Sequence, residues 1–264
     1  MKIAIIGAGN LGYSIAIGIL TQKDFNVHNL YLTKRDTSSL SSLEKLPTVI
    51  IATDNKKAVC SSDIVIIAVQ PKQLQTVLEE IKDVVNPKTH TIISTVTGRK
   101  IAELESFLGT ETAIIRAMPN TAISVGKSMT CISANKKGTE NIELARTIFN
   151  AVGKTLNIEE KLMQSATVIC ASGIAFWMRL IRATSQGAIQ LGFDAKEAQE
   201  LAMHTCLGAA SLLIQSGNHP EQEIDKVTTP SGCTIEGLNE MEHQGLSSSL
   251  IQGLIASYEK INQI

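Results

Sequence analysis

Two short segments of this chain carry residue types at spacings that could do chemistry. Gly7-Ala8-Gly9-Asn10-Leu11-Gly12 is a G-x-G-x-x-G run placed directly after the apolar stretch Lys2–Ile6 and ahead of a helical pattern. In that setting Gly7 allows a tight turn and Gly9 lets backbone N–H groups approach a pyrophosphate. Gly12 permits close packing of a helix whose positive end faces the phosphates. The pattern predicts a bound dinucleotide. Near the other end, Thr229-Pro230-Ser231-Gly232-Cys233-Thr234 stands immediately before the helical run Ile235–Glu242. Such a turn aims N–H groups and hydroxyls at a carboxylate or phosphate. An ordinary Ser/Thr helix cap would read the same way.

The second apolar run decides which dinucleotide is expected. NAD sites usually place Asp or Glu about 20 residues beyond the glycines to accept from the ribose 2′-hydroxyl. Here that place reads Thr33-Lys34-Arg35. A hydroxyl and two cations suit a 2′-phosphate, with Arg35 offering a planar fork. NADPH is therefore the expected cofactor, and Asp36 leaves tolerance for NADH. The run Ile64–Val69 ends in Gln70-Pro71, and ligands in open parallel sheets lie outside the carboxyl ends of strands. Ala68, Val69, Gln70 and Pro71 are thus expected on the nicotinamide side, and Asn55 on the adenosine side.

Other catalytic constellations are missing. His28, His90, His204, His219 and His243 form no H-x-x-x-H pair, and no nucleophile motif accompanies them, so no metal site is expected. Cys60, Cys131, Cys170, Cys206 and Cys233 are odd in number and never spaced as C-x-x-C, which predicts reduced thiols and a cytoplasmic setting. A net charge of −1 and 3% aromatic residues give no footprint for nucleic acid. The apolar stretch Ala166–Met178 falls short of the ~18 residues needed to span a bilayer, and the N-terminal run meets glycine too early for a signal peptide. No membrane partner is expected. With 44% hydrophobic and 19% charged residues, the composition is that of a soluble globular protein.

At 264 residues the chain is long enough for two domains. Apolar runs at Lys2–Ile6, Asn29–Thr33, Thr48–Ala52, Ile64–Val69, Thr91–Thr95 and Thr112–Ala117 alternate with crossover stretches Leu11–Thr21, Thr37–Leu46, Ala58–Ser61, Lys72–Val85 and Ile101–Phe107. Runs apolar throughout suit parallel strands covered on both faces, so a doubly wound Rossmann-type α/β sheet is expected over residues 1–158. A further strand, Ser128–Ser133, and a helix, Glu140–Ala151, complete it. Residues 159–264 read as all-helical: Gln164–Gly192, Asp194–Gly217, Thr234–His243 and Ser247–Ile261, with Asp194 and Glu197 as a capping box. Helices this apolar in about 100 residues predict cover by another subunit, a homodimer or higher homo-oligomer formed through the helical domain.

Taken in order, Ala68-Val69-Gln70-Pro71, Arg116-Ala117-Met118-Pro119-Asn120-Thr121, Ala171-Ser172-Gly173, Leu191-Gly192-Phe193 and Val227–Thr234 resemble the pyrroline-5-carboxylate reductase family almost end to end. The resemblance implies NADPH-dependent reduction of the cyclic imine 1-pyrroline-5-carboxylate to L-proline, the last step of proline biosynthesis, by hydride transfer to C5. It implies that backbone N–H groups of Gly232 and Cys233 bind the substrate carboxylate, with Thr229 nearby, and that the Thr234 hydroxyl meets the ring nitrogen as the catalytic contact. The chain departs from the family pattern at Cys170-Ala171-Ser172-Gly173-Ile174-Ala175-Phe176, where S-G-S-G-P-A-Y is usual, and at Gln70, Ala122 and Ser231-Gly232-Cys233. Two other readings remain open at this point. One is a related NADP-dependent imine or β-hydroxyacid oxidoreductase, which would want a lysine where only Lys161 stands. The other is a dinucleotide-sensing homologue without catalysis.

Overall fold

The computed structural model of the chain describes residues 1–21 and 26–263. Its sheet comprises β1 (Lys2–Ile6), β2 (Asn29–Thr33), β3 (Val49–Ala52), β4 (Ile64–Ile67), β5 (Thr91–Ser94), β6 (Ala113–Met118), β7 (Ser128–Ala134) and β8 (Gly153–Asn157). The spatial order is β3-β2-β1-β4-β5-β6-β7-β8, parallel except for the antiparallel β6–β7 pair. Strand order reverses between β1 and β4, which opens a crevice at their carboxyl ends. Crossovers are made by α1 (Asn10–Thr21), α2 (Asn55–Cys60), α3 (Leu74–Ile81) and α4 (Ile101–Leu108), and α5 (Ile142–Asn150) links β7 to β8.

The central strands β1 and β4 are apolar along almost their whole length because both faces are buried. Ile3, Ile5, Ile64 and Ile66 point into one cluster with Ile15, Ile19, Leu30 and Leu32. Their chain neighbours Ile6, Val65 and Ile67 point into the opposite cluster with Leu74, Leu78 and Leu104. A period of two along each strand puts alternate residues on opposite faces, so neither face can be polar.

Three elements differ from the sequence expectation. Thr37–Leu46 is not a helix: only Ser38–Leu40 forms a tight turn, because consecutive Ser and Thr residues compete for the backbone. The strand β8 has no counterpart among the expected strands, since Gly153-Lys154-Thr155-Leu156-Asn157 lies at the sheet edge with only Thr155 buried and has no apolar run. The helical stretch expected over Gln164–Gly192 is interrupted: α6 (Met163–Ala166) passes into a π-turn, Thr167–Ser172, before α7 (Gly173–Gln190).

The chain divides into two compact units, Met1–Ser172 with Lys260–Ile264 and Gly173–Glu259. The boundary expected at residue 158 coincides with the end of β8. The first unit continues beyond it because Met163 and Ala166 pack on Met118 and Cys131 of the sheet. The second unit holds α7, α8 (Ala195–Ser216), α9 (Pro220–Val227), α10 (Cys233–His243) and most of α11 (Leu246–Ile261). Its α7 and α8 pack together. The predicted Asp194–Glu197 capping box starts α8, and Gly217 ends it in the left-handed conformation. The helix α9, absent from the sequence reading, starts at Pro220 behind a His219–Gln222 capping arrangement.

Within this unit the buried residues of α7 and α8 are all small: Gly173, Ser185, Ala198 and Ala202. Trp177, Leu191, Leu207, Leu212, Ile214 and Ile251 are among the large apolar side chains left exposed. The helical stretch Glu160–Gln190, 31 residues that include an 18-residue window of mean hydropathy 1.3, also exceeds the Ala166–Met178 segment considered from sequence. By length and composition alone it could cross a bilayer.

Candidate active site

The crevice at the carboxyl ends of β1, β2 and β4 is a cleft of about 760 Å³ lined by Gly7, Gly9, Thr33, Lys34, Arg35, Asn55, Ala68, Val69 and Gln70, among others. Gly7 has φ +93°, and a Cβ there would lie 2.6 Å from Val69 Cγ1. At Gly12 a Cβ would collide with the Gly7 carbonyl oxygen, so α1 meets the loop through bare backbone. A Cβ at Gly9 would meet nothing within 4 Å, which leaves the space over the loop for a ligand.

Backbone bonds decide which amides can serve that ligand. The N–H groups of Gly7 and Ala8 both donate to the Thr33 carbonyl, at 3.1 and 2.8 Å, and the Gly9 N–H donates to the Gly7 carbonyl at 2.8 Å. The Ala8 side chain is buried as well. The first bond inside α1 runs from the Tyr13 N–H to the Gly9 carbonyl, 2.8 Å. The N–H groups of Asn10, Leu11 and Gly12 precede it and form the positive end of the helix. The amides left facing the cleft end of α1 are thus those of Asn10–Gly12, while Gly7 and Ala8 hold the loop on β2.

On the adenosine side the Thr33 hydroxyl is buried and donates to Asn55 Oδ1 at 2.6 Å. Asn55 Nδ2 donates to Glu80 Oε2 at 2.8 Å. Thr33 and Asn55 are therefore engaged with each other, and Glu80, unforeseen from sequence, fixes the amide. Lys34 Nζ donates to Ser39 Oγ at 2.6 Å. Arg35 is exposed at the cleft and forms no ion pair among the described residues. The Asp36 carboxylate accepts from the Ser38 N–H at 3.0 Å, and that bond holds its pKa below the ordinary value. Arg35 thus presents its guanidinium at the cleft beside Lys34, and Lys72 lines the same cleft.

On the nicotinamide side β4 ends at Ile67, and Gln70 and Pro71 open a tight turn whose Gln73 side chain accepts from the Gln70 N–H at 3.2 Å. Pro71 acts through this turn and does not line the cleft, whereas Lys72, Gln73 and Thr76 do. Their positions on the following turn and α3 carry no motif that sequence alone could flag. The fit is that of a phosphorylated dinucleotide: open space over Gly9, helix-end amides at α1, and a cation without an ion pair where a ribose would end.

Two buried groups brace the neighbouring strand β6. Arg116 Nη1 donates to Glu160 Oε1 at 3.0 Å, and the Ile101 N–H donates to the same oxygen at 2.7 Å. Burial pushes the guanidinium below its usual pKa while Glu160 opposes the shift, and Nη2 has no protein partner among the described residues. Asn120 accepts from the Ala122 N–H at 2.9 Å and donates to the Cys170 carbonyl at 2.9 Å. The Arg116–Thr121 motif thus positions loops.

In the second unit the segment Thr229–Thr234 forms the turn into α10. Ser231 has φ +56°, the one non-glycine residue with positive φ among the described residues. The Gly232 N–H donates to the Thr229 carbonyl at 2.9 Å, and a Cβ at Gly232 would collide with Thr229 Oγ1. Glu236 N–H reaches the Gly232 carbonyl at 3.4 Å, so the amides of Cys233 and Thr234 precede the first intrahelical bond. The Gly232 amide, one of the two expected to bind a carboxylate, is thus engaged within the turn, and the amides of Cys233 and Thr234 have no intrahelical partner among the described residues. Thr234 is half-buried, with no side-chain hydrogen bond among the described residues. A separate groove of about 590 Å³ on α8 is lined by Glu197, Glu200, Leu201 and His204. There His204 is exposed. Lys161 pairs with Glu159 at 2.5 Å on the surface.

Comparison with known proteins agrees with this division. Residues 160–264 match the pyrroline-5-carboxylate reductase dimerisation family, and residues 2–98 match the NADP oxidoreductase, coenzyme F420-dependent family. Pyrroline-5-carboxylate reductase 2 of Dictyostelium discoideum is 43% identical over 98% of this chain and 91% of its own length. Reductase 1 of the same organism is also 43% identical over 98% of this chain, which spans 49% of that longer protein. The structure of Plasmodium falciparum pyrroline carboxylate reductase with NADP bound superposes with a TM-score of 0.87 and 26% identity, covering 100% of this chain and 97% of that one. A match of 43% identity over 98% of the chain leaves one assignment: this chain belongs to the pyrroline-5-carboxylate reductase family.

Proposed function

We propose that this protein reduces 1-pyrroline-5-carboxylate to L-proline with NADPH. The observation that carries the reading is 43% identity over 98% of the chain to a reductase of nearly equal length. When bound, NADPH supplies a hydride for C5 of the cyclic imine. The chain's own residues bind and orient. Asn10, Leu11 and Gly12 hold the pyrophosphate through α1, and Arg35 pairs with the 2′-phosphate. The amides of Cys233 and Thr234 take the substrate carboxylate at the positive end of α10, beside Thr229 and Gly232. The Thr234 hydroxyl meets the ring nitrogen. A protonated imine already draws electrons from C5, so placement and electrostatics suffice without a histidine or metal.

The exposed apolar side chains of the second unit support a homodimer or larger homo-oligomer formed through it. The five dispersed cysteines support a cytoplasmic setting. NADPH oxidation followed by absorbance with purified protein and pyrroline-5-carboxylate tests the activity. Stoichiometric proline is the expected product, and no turnover by protein that binds NADPH would overturn the assignment. A β-hydroxyacid dehydrogenase reading gains nothing from Lys161, which is paired on the surface.

A further inference from the structure

Cys131 of β7 and Cys170 of the π-turn lie with their sulfurs 3.9 Å apart, although 39 positions separate them in sequence. They share a small apolar cluster with Met118, Met163 and Ala166. Cys131 is buried, whereas Cys170 is partly open to solvent and adjoins the exposed Ile169. Neither thiol has a place in the proposed reduction. The hydrogen bond from Cys131 lowers the Cys170 thiol to about 7, against the effect of burial, and the same bond with burial pushes Cys131 up. Cys170, the less buried of the two, thus gives up its proton more readily, and Cys131 holds its proton beside it.

We propose that Cys131 and Cys170 form a peroxide-sensitive dithiol, a modification site that closes to a disulfide between β7 and the π-turn. In the first step the Cys170 thiolate attacks one oxygen of a hydroperoxide. The S–O bond forms, the O–O bond breaks, and the leaving oxygen takes a proton from solvent to depart as water or alcohol. Cys170 is thereby oxidised by two electrons to the sulfenic acid. In the second step the Cys131 sulfur attacks Cys170 Sγ. The S–S bond forms, the S–O bond breaks, and hydroxide leaves with the Cys131 proton as water. Two thiols and one hydroperoxide give one disulfide, one water and one alcohol or second water.

The sulfurs must approach from 3.9 Å to about 2.05 Å. A π-turn, with its wider and less regular bonding, is the part of the helix able to give by that amount. The movement carries the Cys170 backbone, whose carbonyl is the acceptor for Asn120 Nδ2 at 2.9 Å. Among the described residues Cys60, Cys206 and Cys233 make no sulfur–sulfur contact, so closure is expected at this pair alone.

The test treats the reduced full chain with hydrogen peroxide, then denatures and alkylates it and maps its peptides by mass. The expected result is loss of two of the five alkylatable thiols, recovery of both with dithiothreitol, and one crosslinked peptide joining Cys131 to Cys170. Cys170→Ala should abolish the loss, and Cys131→Ala should halt oxidation at a sulfenic acid on Cys170 that dimedone traps. Retention of all five thiols in the wild type, a crosslink through any other cysteine, or an undiminished two-thiol loss in Cys170→Ala would each overturn the proposal. The wild-type peptide map decides it even if a variant fails to fold.

Discussion

Thr234 stands in the first turn of α10 with its hydroxyl uncommitted among the described residues, so its truncation should be felt in chemistry and not in cofactor affinity. Thr234→Ala is expected to lower kcat about 10²-fold, the usual cost of one transition-state hydrogen bond, and to leave the Kd for NADPH unchanged. Thr234→Ser should retain most of the activity. Toward the other end of the chain, Arg35 is an exposed guanidinium at the cleft with no ion pair among the described residues. Arg35→Ala should raise the Kd for NADPH about 10- to 100-fold, the worth of a charge-assisted hydrogen bond, and barely alter that for NADH. Fluorescence titration with the two nucleotides separates these outcomes. Residue types alone point to the right region but not to the division of labour. Thr33 and Asn55 carry suitable polar groups, yet they bond to each other, and only the folded β2–α2 geometry reveals Glu80 behind them.

Elements with a dense signal were legible in the sequence. The strands β1, β4 and β5 are bounded runs buried on both faces, and α8 is marked by its cap and its glycine stop. Elements stabilised by their neighbours were not. The polar edge strand β8 exists because β7 offers it a ladder, and the π-turn follows from packing on Met118 and Cys131 that no local pattern encodes. The loop leading into β5 adds a pH-sensitive contact. His90 is buried, and its Nδ1 accepts the Asn86 N–H at 2.9 Å, which requires a neutral ring. Burial lowers its pKa from 6.5, opposed by Asp63. The unfolded chain therefore binds the proton more readily. This contribution is complete above about pH 6.5 and is lost as pH falls through the depressed folded value. Urea midpoints should drop between about pH 7.5 and pH 5.5, and His90→Gln should drop less over the same interval.

At the scale of the molecule, the second unit leaves many of its large apolar side chains exposed. Leu207, Leu212 and Ile214 are exposed on α8, and Ile251 and Ile255 on α11. Leu207→Glu should weaken self-association at least about thirtyfold, since covering one leucine is worth about 2–3 kcal/mol and a buried carboxylate adds a penalty. Light scattering across a dilution series reads the shift from assembly to single chains. The composition pointed to helices too apolar to bury themselves, but which helices present the exposed side chains depends on α7 and α8 packing through their small residues.

Trp177 is the only tryptophan of the chain and sits on α7 with 59% of its surface exposed. A lone indole on an uncovered helix is an optical reporter built into the protein. Its emission belongs to one position, so a blue shift with rising concentration would mark the moment that face of α7 loses its water, with no dye attached.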